Sequence, residues 1–281
     1  MSSEKRKYAA LLSYQGTAYC GWQKQSGSAA NGGPSIQETF EKTLLRITSE
    51  EKISAVGSGR TDSGVHAAGQ VVHFVLQKKA WDTGILRKAL NSLLPQDIRA
   101  LAVQEVPIEF HAQRSAEKKQ YSYFLQQGPA APAHLKPYSW WIQRRLDLPA
   151  MRQALSYLVG EHDFKPFQAS GSAPMRTTVR SILEADLIEQ PAQWPSFTPI
   201  DGGEAVTLVR MRLVGTGFLK QMVRGIAGTL VQVGEGKRTA ESVREILETG
   251  DRLKVGPTAP PRALWLERVW YPGLDWRVKI D

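Results

Sequence analysis

The chain has 281 residues, of which 42% are hydrophobic, with a formal charge of +9 and a single cysteine, Cys20. That length can bury one large core or two ordinary ones, the charge suits a polyanionic partner, and one cysteine excludes an intrachain disulfide framework and suits a reducing compartment. The histidines at 66, 73, 111, 134 and 162 are scattered without the close pairing of metal motifs, and no apolar run approaches a membrane span. The start, Met1-Ser2-Ser3-Glu4-Lys5-Arg6-Lys7, leads into too short an apolar stretch for a signal core. A cytoplasmic protein with no cofactor, no metal and no membrane partner is expected.

In chain order, residues 8–14 read as a first strand ending in the turn Gln15-Gly16, followed by Tyr19-Cys20-Gly21-Trp22-Gln23, where Trp22 is expected to pack. Residues 26–34 are rich in Gly, Ser and Ala and read as loop. Ser35-Ile36-Gln37-Glu38 then opens a helix with a capping box, and Phe40, Leu44 and Ile47 recur at helical spacing. Two apolar runs, 53–56 and 70–76, read as strands around a polar glycine-rich loop. Residues 82–93 read as a helix capped by Asp82, with Ile85, Leu86, Ala89, Leu90 and Leu93 on one face, before a strand at 98–106. The order strand, helix, strand, strand, helix, strand suits a ferredoxin-like α+β unit.

In the second part, polar and aromatic residues alternate in Lys118-Lys119-Gln120-Tyr121-Ser122-Tyr123-Phe124-Leu125, as in a strand with one buried face. Tyr121 and Tyr123 share a side, and a half-buried strand commonly keeps such a ring in the core. A Pro- and Ala-rich connector spans 128–137. A helix capped by Asp147 should run to Val159 with Met151, Leu155 and Leu158 inward and Gly160 as its stop. His162 and Asp163 read as a surface turn or cap. Strands at 181–188 and 205–214 enclose a loose loop. In Gly217-Phe218-Leu219-Lys220-Gln221-Met222-Val223-Arg224-Gly225-Ile226-Ala227-Gly228, helical spacing aligns Met222, Ile226 and Leu230 as a buried stripe. Arg224 falls beside that stripe, so it should be partly buried and need an anionic partner. A last helix at 239–248 and a strand at 263–270 complete the pattern.

The loop between the runs at 53–56 and 70–76 carries the densest chemistry: a cation, a hydroxyl, a carboxylate and an imidazole close together in a glycine-rich turn. An Asp in an Asp-Ser-Gly turn commonly just bonds its own backbone. Neither a Gly-Lys-Ser/Thr phosphate cradle nor a dinucleotide fingerprint is present. The stretch Gly59-Arg60-Thr61-Asp62-Ser63-Gly64-Val65-His66-Ala67 closely resembles the catalytic motif of the tRNA pseudouridine synthase A family, which isomerises uridines in the anticodon stem-loop and usually has Ala where Ser63 stands. Residues 19–23, the Tyr-x-Tyr pair at 121–123 after two lysines, residues 161–164 and 176–180, and the segment 217–228 resemble further family segments, so that the likeness runs from Tyr14 to about Pro272.

The resemblance implies an α+β fold of two ferredoxin-like halves, residues 1–113 with the Asp62 loop and 114–281, sharing a mixed or antiparallel sheet with helices on one face and a central basic cleft. It also implies a homodimer acting on tRNA. Asp62 would be the catalytic carboxylate, Arg224 its partner, and Tyr121 the ring against the target base and a candidate for the final proton removal. Arg60, Lys118, Lys119, Arg176 and Arg180 would bind RNA, with Lys220, Lys237 and Arg238 adding charge. Two other classes compete: a tRNA-binding protein or RNA chaperone without a reaction, and a small-molecule hydrolase using Asp62 and His66.

Overall fold

A computed structural model of the chain describes residues 5–24, 33–131, 133–172, 175–191 and 207–276. The loop expected at 26–34 and the one joining the strands at 181–188 and 205–214 therefore lie largely outside the described residues. By their contacts the residues group into two compact units, Met1–Lys119 with Leu266–Asp281, and Gln120–Trp265. A division at 113/114 leaves the last residues with the second half. In the structure they group with the first, where Tyr271 donates its hydroxyl to the Ala112 carbonyl at 2.6 Å and Gln104 Nε2 donates to the Asp275 carbonyl at 2.8 Å.

The first unit runs β1 (Arg6–Tyr14), α1 (Ile36–Thr48), β2 (Val56–Gly57), β3 (His66–Leu76), α2 (Thr83–Leu93) and β4 (Ile98–Val106). β1 lies antiparallel between β3 and β4, and β2 pairs antiparallel with β3, which is the strand arrangement of a ferredoxin-like unit. Alternation drives it: Tyr8, Leu12 and Tyr14 in β1 and Val72, Phe74 and Leu76 in β3 are among the buried side chains. Phe40 and Leu44 of α1 are fully buried, and Ser35 caps the helix by accepting the Glu38 N–H at 3.1 Å.

Two expectations change here. The run at 53–56 yields strand only at Val56–Gly57, because two buried side chains of α1 take the backbone groups that a ladder would use. Glu41 Oε1 accepts the Ala55 N–H at 2.9 Å, and Gln37 Nε2 donates to the Ala55 carbonyl at 3.0 Å. On α2 the expected five-residue apolar face narrows to Leu86 and Leu90, leaving Ile85 and Leu93 60% and 41% exposed. Only that i, i+4 row meets the core; the flanking rows turn away from it.

The second unit runs β5 (Lys118–Gln127), β6 (Trp140–Ile142), α3 (Leu148–Ser156), β7 (Gly160–Asp163), β8 (Val179–Pro191), β9 (Thr207–Gly215), α4 (Met222–Gly234) and α5 (Glu241–Thr249). Its strands follow the order β5-β9-β8-β7, with β6 parallel to β5 and antiparallel pairing in β7-β8 and β8-β9. The last strand, β10 (Leu264–Trp270), follows in the chain and lies next to β3 over the residues that belong to the first unit. Taken along the chain, β5, α3, β8, β9, α4 and β10 repeat the strand-helix-strand-strand-helix-strand order of the first half. The α+β class is borne out, with antiparallel pairing in the first unit and mixed pairing in the second.

Helix α3 is capped by Asp147 as expected but ends at Ser156, short of Val159. The chain tightens there, with Leu158 N donating to the Leu155 carbonyl and Val159 N to the Ser156 carbonyl, the three-residue bonding that closes a helix. Met151, Leu155 and Leu158 are still buried. The strands β6 and β7 were not anticipated; both are short, and Gly-Glu-His-Asp of β7 has no apolar alternation. No helix among the described residues is long and apolar enough to cross a membrane.

Candidate active site

The loop between β2 and β3 is fixed backbone group by backbone group. At its entry, Ser58 N donates to the Val71 carbonyl at 2.7 Å and Ser58 Oγ to Gln70 Oε1 at 2.6 Å, while Gln70 Nε2 donates to the Gly59 carbonyl at 2.8 Å. In its middle the Thr61 carbonyl accepts the Trp22 N–H at 3.0 Å, and the hydroxyls of Thr61 and Tyr14 hydrogen-bond at 2.8 Å. Beyond Asp62 the Tyr19 carbonyl accepts both the Ser63 hydroxyl at 3.2 Å and the Gly64 N–H at 3.3 Å. At the exit the Gly16 N–H donates to His66 Nδ1 at 3.1 Å.

The loop is therefore clamped by residues 14–22, the segment just after β1, and this works only because that segment comes very close. A Cβ on Gly16 would sit 2.0 Å from the Val65 carbonyl oxygen. Gly21 combines a φ of +105° with a Cβ position only 2.5 Å from the Thr61 carbonyl oxygen, so both conformation and space demand glycine there. Trp22 packs as expected, 2% exposed and stacked on Tyr14 with ring centres 6.5 Å apart. Burial pushes the Tyr14 phenol up to about 12, so it remains protonated as a partner for Thr61.

Within this frame Asp62 is half-buried and Arg60 is exposed. The Asp62 carbonyl accepts the Val65 N–H at 3.1 Å, closing the turn that presents the carboxylate. The turn bond uses the backbone of this residue and leaves its carboxylate out of the turn. His66 is fully buried, with one ring nitrogen committed to the Gly16 amide, which gives the hydrolase reading little support. Of the two lysines that open β5, Lys118 lies over the Trp270 ring at 5.0 Å, and Lys119 Nζ donates to the Ser58 carbonyl at 2.6 Å.

In the second unit Tyr121 is 7% exposed and meets Phe218 edge to face, with ring centres 5.0 Å apart. Tyr123 is the core ring of the pair, fully buried with its hydroxyl donating to the Pro260 carbonyl at 2.9 Å. Arg224 stands in the first turn of α4, half-buried as its position beside the apolar stripe implied. Its Nε donates to the Ala259 carbonyl at 2.8 Å, and the Ala259 N–H donates back to the Arg224 carbonyl at 3.1 Å. This clasp holds the guanidinium stem to the extended segment before β10.

The remaining candidates divide. Arg176 is exposed. Arg180 is half-buried, with Nη1 donating to the carbonyls of Thr177 and Val179, and desolvation lowers its pKa. Lys237 pairs with Glu235 at 2.6 Å, and Arg238 donates to Gln232 and to the Lys254 carbonyl, so both serve local structure. His162 packs edge-on to Phe164, and Asp163 Oδ1 accepts the Lys165 N–H at 2.9 Å, the structural role read from the sequence. Among the described residues no group of three or more His, Cys, Asp or Glu side chains could hold a metal ion.

The sequence reading missed the clamp of Tyr14, Gly16, Tyr19 and Gly21. The aromatic segment at 19–23 was the available signal, but nothing in its own spacing says that it closes on residues 61–66.

Compared with known families, the chain matches the profile described as tRNA pseudouridine synthase over residues 10–113 and 154–272. It is similar to the tRNA pseudouridine synthase A of Citrifermentans bemidjiense, at 39% identity over 267 residues covering 95% of this chain and 98% of that one. Similar proteins of the same name occur in Chlamydia muridarum, at 40% identity over 95% of this chain and 92% of that one, and in Neisseria gonorrhoeae, at 38% over 97% and 94%. The chain therefore belongs to the tRNA pseudouridine synthase family, the isomerases that convert uridine to pseudouridine.

Proposed function

We propose that this chain isomerises uridines in the anticodon stem-loop of tRNA and that Asp62 is its essential carboxylate. The reaction breaks the C1′–N1 bond, turns the uracil in place, joins C5 to C1′, removes the C5 proton and leaves N1 protonated, so nothing enters or leaves overall. The target base must first leave its stack. Asp62 acts at the sugar, by attacking C1′ or by removing the 2′ proton on the way to a glycal. Arg224 keeps that carboxylate ionised and aimed. Tyr121 stacks on the uracil and takes part in the final proton removal, directly or through water. Arg60, Lys118, Arg176 and Arg180 meet the RNA, which is read mainly by shape and backbone charge. The working form is a cytoplasmic homodimer.

The observation that carries this reading is the placement of Asp62: a half-buried carboxylate on a loop whose neighbours Thr61, Ser63 and Gly64 are each bonded to the 14–22 segment. A chain that only binds RNA gains nothing from a carboxylate so held, because it repels phosphate. The test is to incubate unmodified tRNA with the native chain and with Asp62→Ala, then map pseudouridine by carbodiimide adducts that stop primer extension. Stops confined to the anticodon stem-loop and absent with the variant support both parts. Stops elsewhere overturn the target, and stops that persist with the variant overturn the role of Asp62.

A further inference from the structure

The two lysines that open β5 look alike in sequence but have different surroundings. Lys118 is half-buried against the face of Trp270, which Arg268 also approaches at 4.9 Å. Lys119 sends its ammonium to the carbonyl oxygen of Ser58, 61 residues away in the chain. Ser58 is itself fully buried and is the first residue of the Asp62 loop after β2.

Four of the loop carbonyls from Ser58 to Asp62 accept from donors of different kinds. The Gly59 carbonyl has Gln70, the Thr61 carbonyl has the Trp22 amide, the Asp62 carbonyl has the Val65 amide, and the Ser58 carbonyl has a full positive charge. A hydrogen bond from an ionised donor is roughly twice as strong as a neutral one. A buried carbonyl that loses its donor bears the full desolvation cost. Beside the bonds of Ser58 to Val71 and Gln70, the loop entry is thus held by a charged donor four residues before Asp62.

We infer that Lys119 is a positioning residue: its ammonium holds the Ser58 carbonyl and thereby sets the approach of Asp62, rather than contacting an RNA phosphate. This rests on the reading of Asp62 as the catalytic carboxylate. The expectation that both lysines bind RNA narrows to Lys118.

The test compares native chain, Lys119→Met, Lys119→Gln and Asp62→Asn in pseudouridine formation on tRNA, in tRNA binding over a range of salt, and in thermal melting. A positioning role predicts that Lys119→Met lowers kcat between about tenfold and a hundredfold, as for small misplacements of a catalytic group, with KM little changed. It predicts an unchanged salt slope of binding, whereas loss of a phosphate contact reduces that slope by roughly 0.7–0.9. Lys119→Gln keeps a donor without the charge and should recover part of the lost kcat. If the Met variant does not fold, the Gln variant decides by the same two readouts. Native kcat in the folded variants, or a reduced salt slope with unchanged kcat, overturns the inference. Full activity of Asp62→Asn instead overturns the underlying reading of Asp62, a separate result.

Discussion

The hydroxyl of Tyr14, the last residue of β1, lies 2.8 Å from the hydroxyl of Thr61, the residue just before Asp62. Both groups are in the interior, with Tyr14 2% exposed and Thr61 6%. One end of the first strand is thus bonded directly to the loop that carries Asp62, and β1 in turn is held on both sides by β3 and β4. The rigidity of the sheet reaches the loop through this contact and the Trp22 amide bond beside it.

Replacing Tyr14 by Phe leaves the Thr61 hydroxyl without this partner in a buried place. The expected cost is about 1–2 kcal/mol of stability. A fall in kcat should accompany it, because the lost bond is next to Asp62. Urea denaturation gives the first quantity and tritium release from tRNA the second. A variant that loses stability but keeps native kcat shows that the Trp22 bond alone suffices to hold Thr61.

Gly21→Ala meets two obstacles at once, the positive φ and the Thr61 carbonyl oxygen 2.5 Å from the new carbon. Backbone must move on one side or the other, and strain of this kind costs of order 1–3 kcal/mol. The variant should fold less stably and lose activity more than its loss of stability explains. Circular dichroism melts and turnover on folded protein together check this.

Asp82→Ala provides a contrast. Asp82 Oδ1 accepts the Ile85 N–H at 2.8 Å and caps α2, away from the loop. Losing that cap should cost about 1 kcal/mol and leave kcat as it was. Stability measured by urea and turnover measured below the midpoint separate the two effects.

His73 makes stability depend on acid. Its Nδ1 accepts the Ala112 N–H at 3.0 Å, and its ring lies 4.8 Å from that of His111. Burial first, then His111, Lys7 and Arg114, lower its pKa from 6.5 to about 4. The unfolded chain therefore binds a proton in a range where the folded chain does not. The stabilisation is complete above pH 6.5, declines as pH falls from 6.5 towards 4, and levels off below. The slope should not exceed about 1.4 kcal/mol per pH unit from this one group. Denaturation at a series of pH values should show the decline in the native chain and a shallower one in His73→Asn, which can still accept from Ala112.

How much of this was legible in the chain follows from how local each feature is. The caps of α1, α2 and α3 were readable because Ser35, Asp82 and Asp147 act on residues three positions away. The strand β4 was readable to its ends because Pro95 and Pro107 bound its apolar run, although its alternation breaks at Ala102 and Val103. The curtailed β2 was not, because buried Gln37 and Glu41 compete for the Ala55 backbone, a contact between segments. The extra strands β6 and β7 carry too few residues for a period to register. At the site, Asp62 stood out by the resemblance of its loop, and the half-burial of Arg224 by helical spacing. The destination of Lys119 was not readable, since a lysine near a basic run gives the same pattern whether it faces a phosphate or a distant carbonyl. The clamp on the loop was equally hidden, because its bonds are mostly to backbone groups, which every residue carries.

The most direct measurement of the central claim is tritium release from tRNA carrying 5-tritiated uridine, with the native chain and Asp62→Asn run beside a binding assay on the same tRNA. The account predicts release by the native chain, none above background by the variant, and tRNA binding by both. Release by Asp62→Asn at the native rate, or no release by either protein while both bind tRNA, would contradict it.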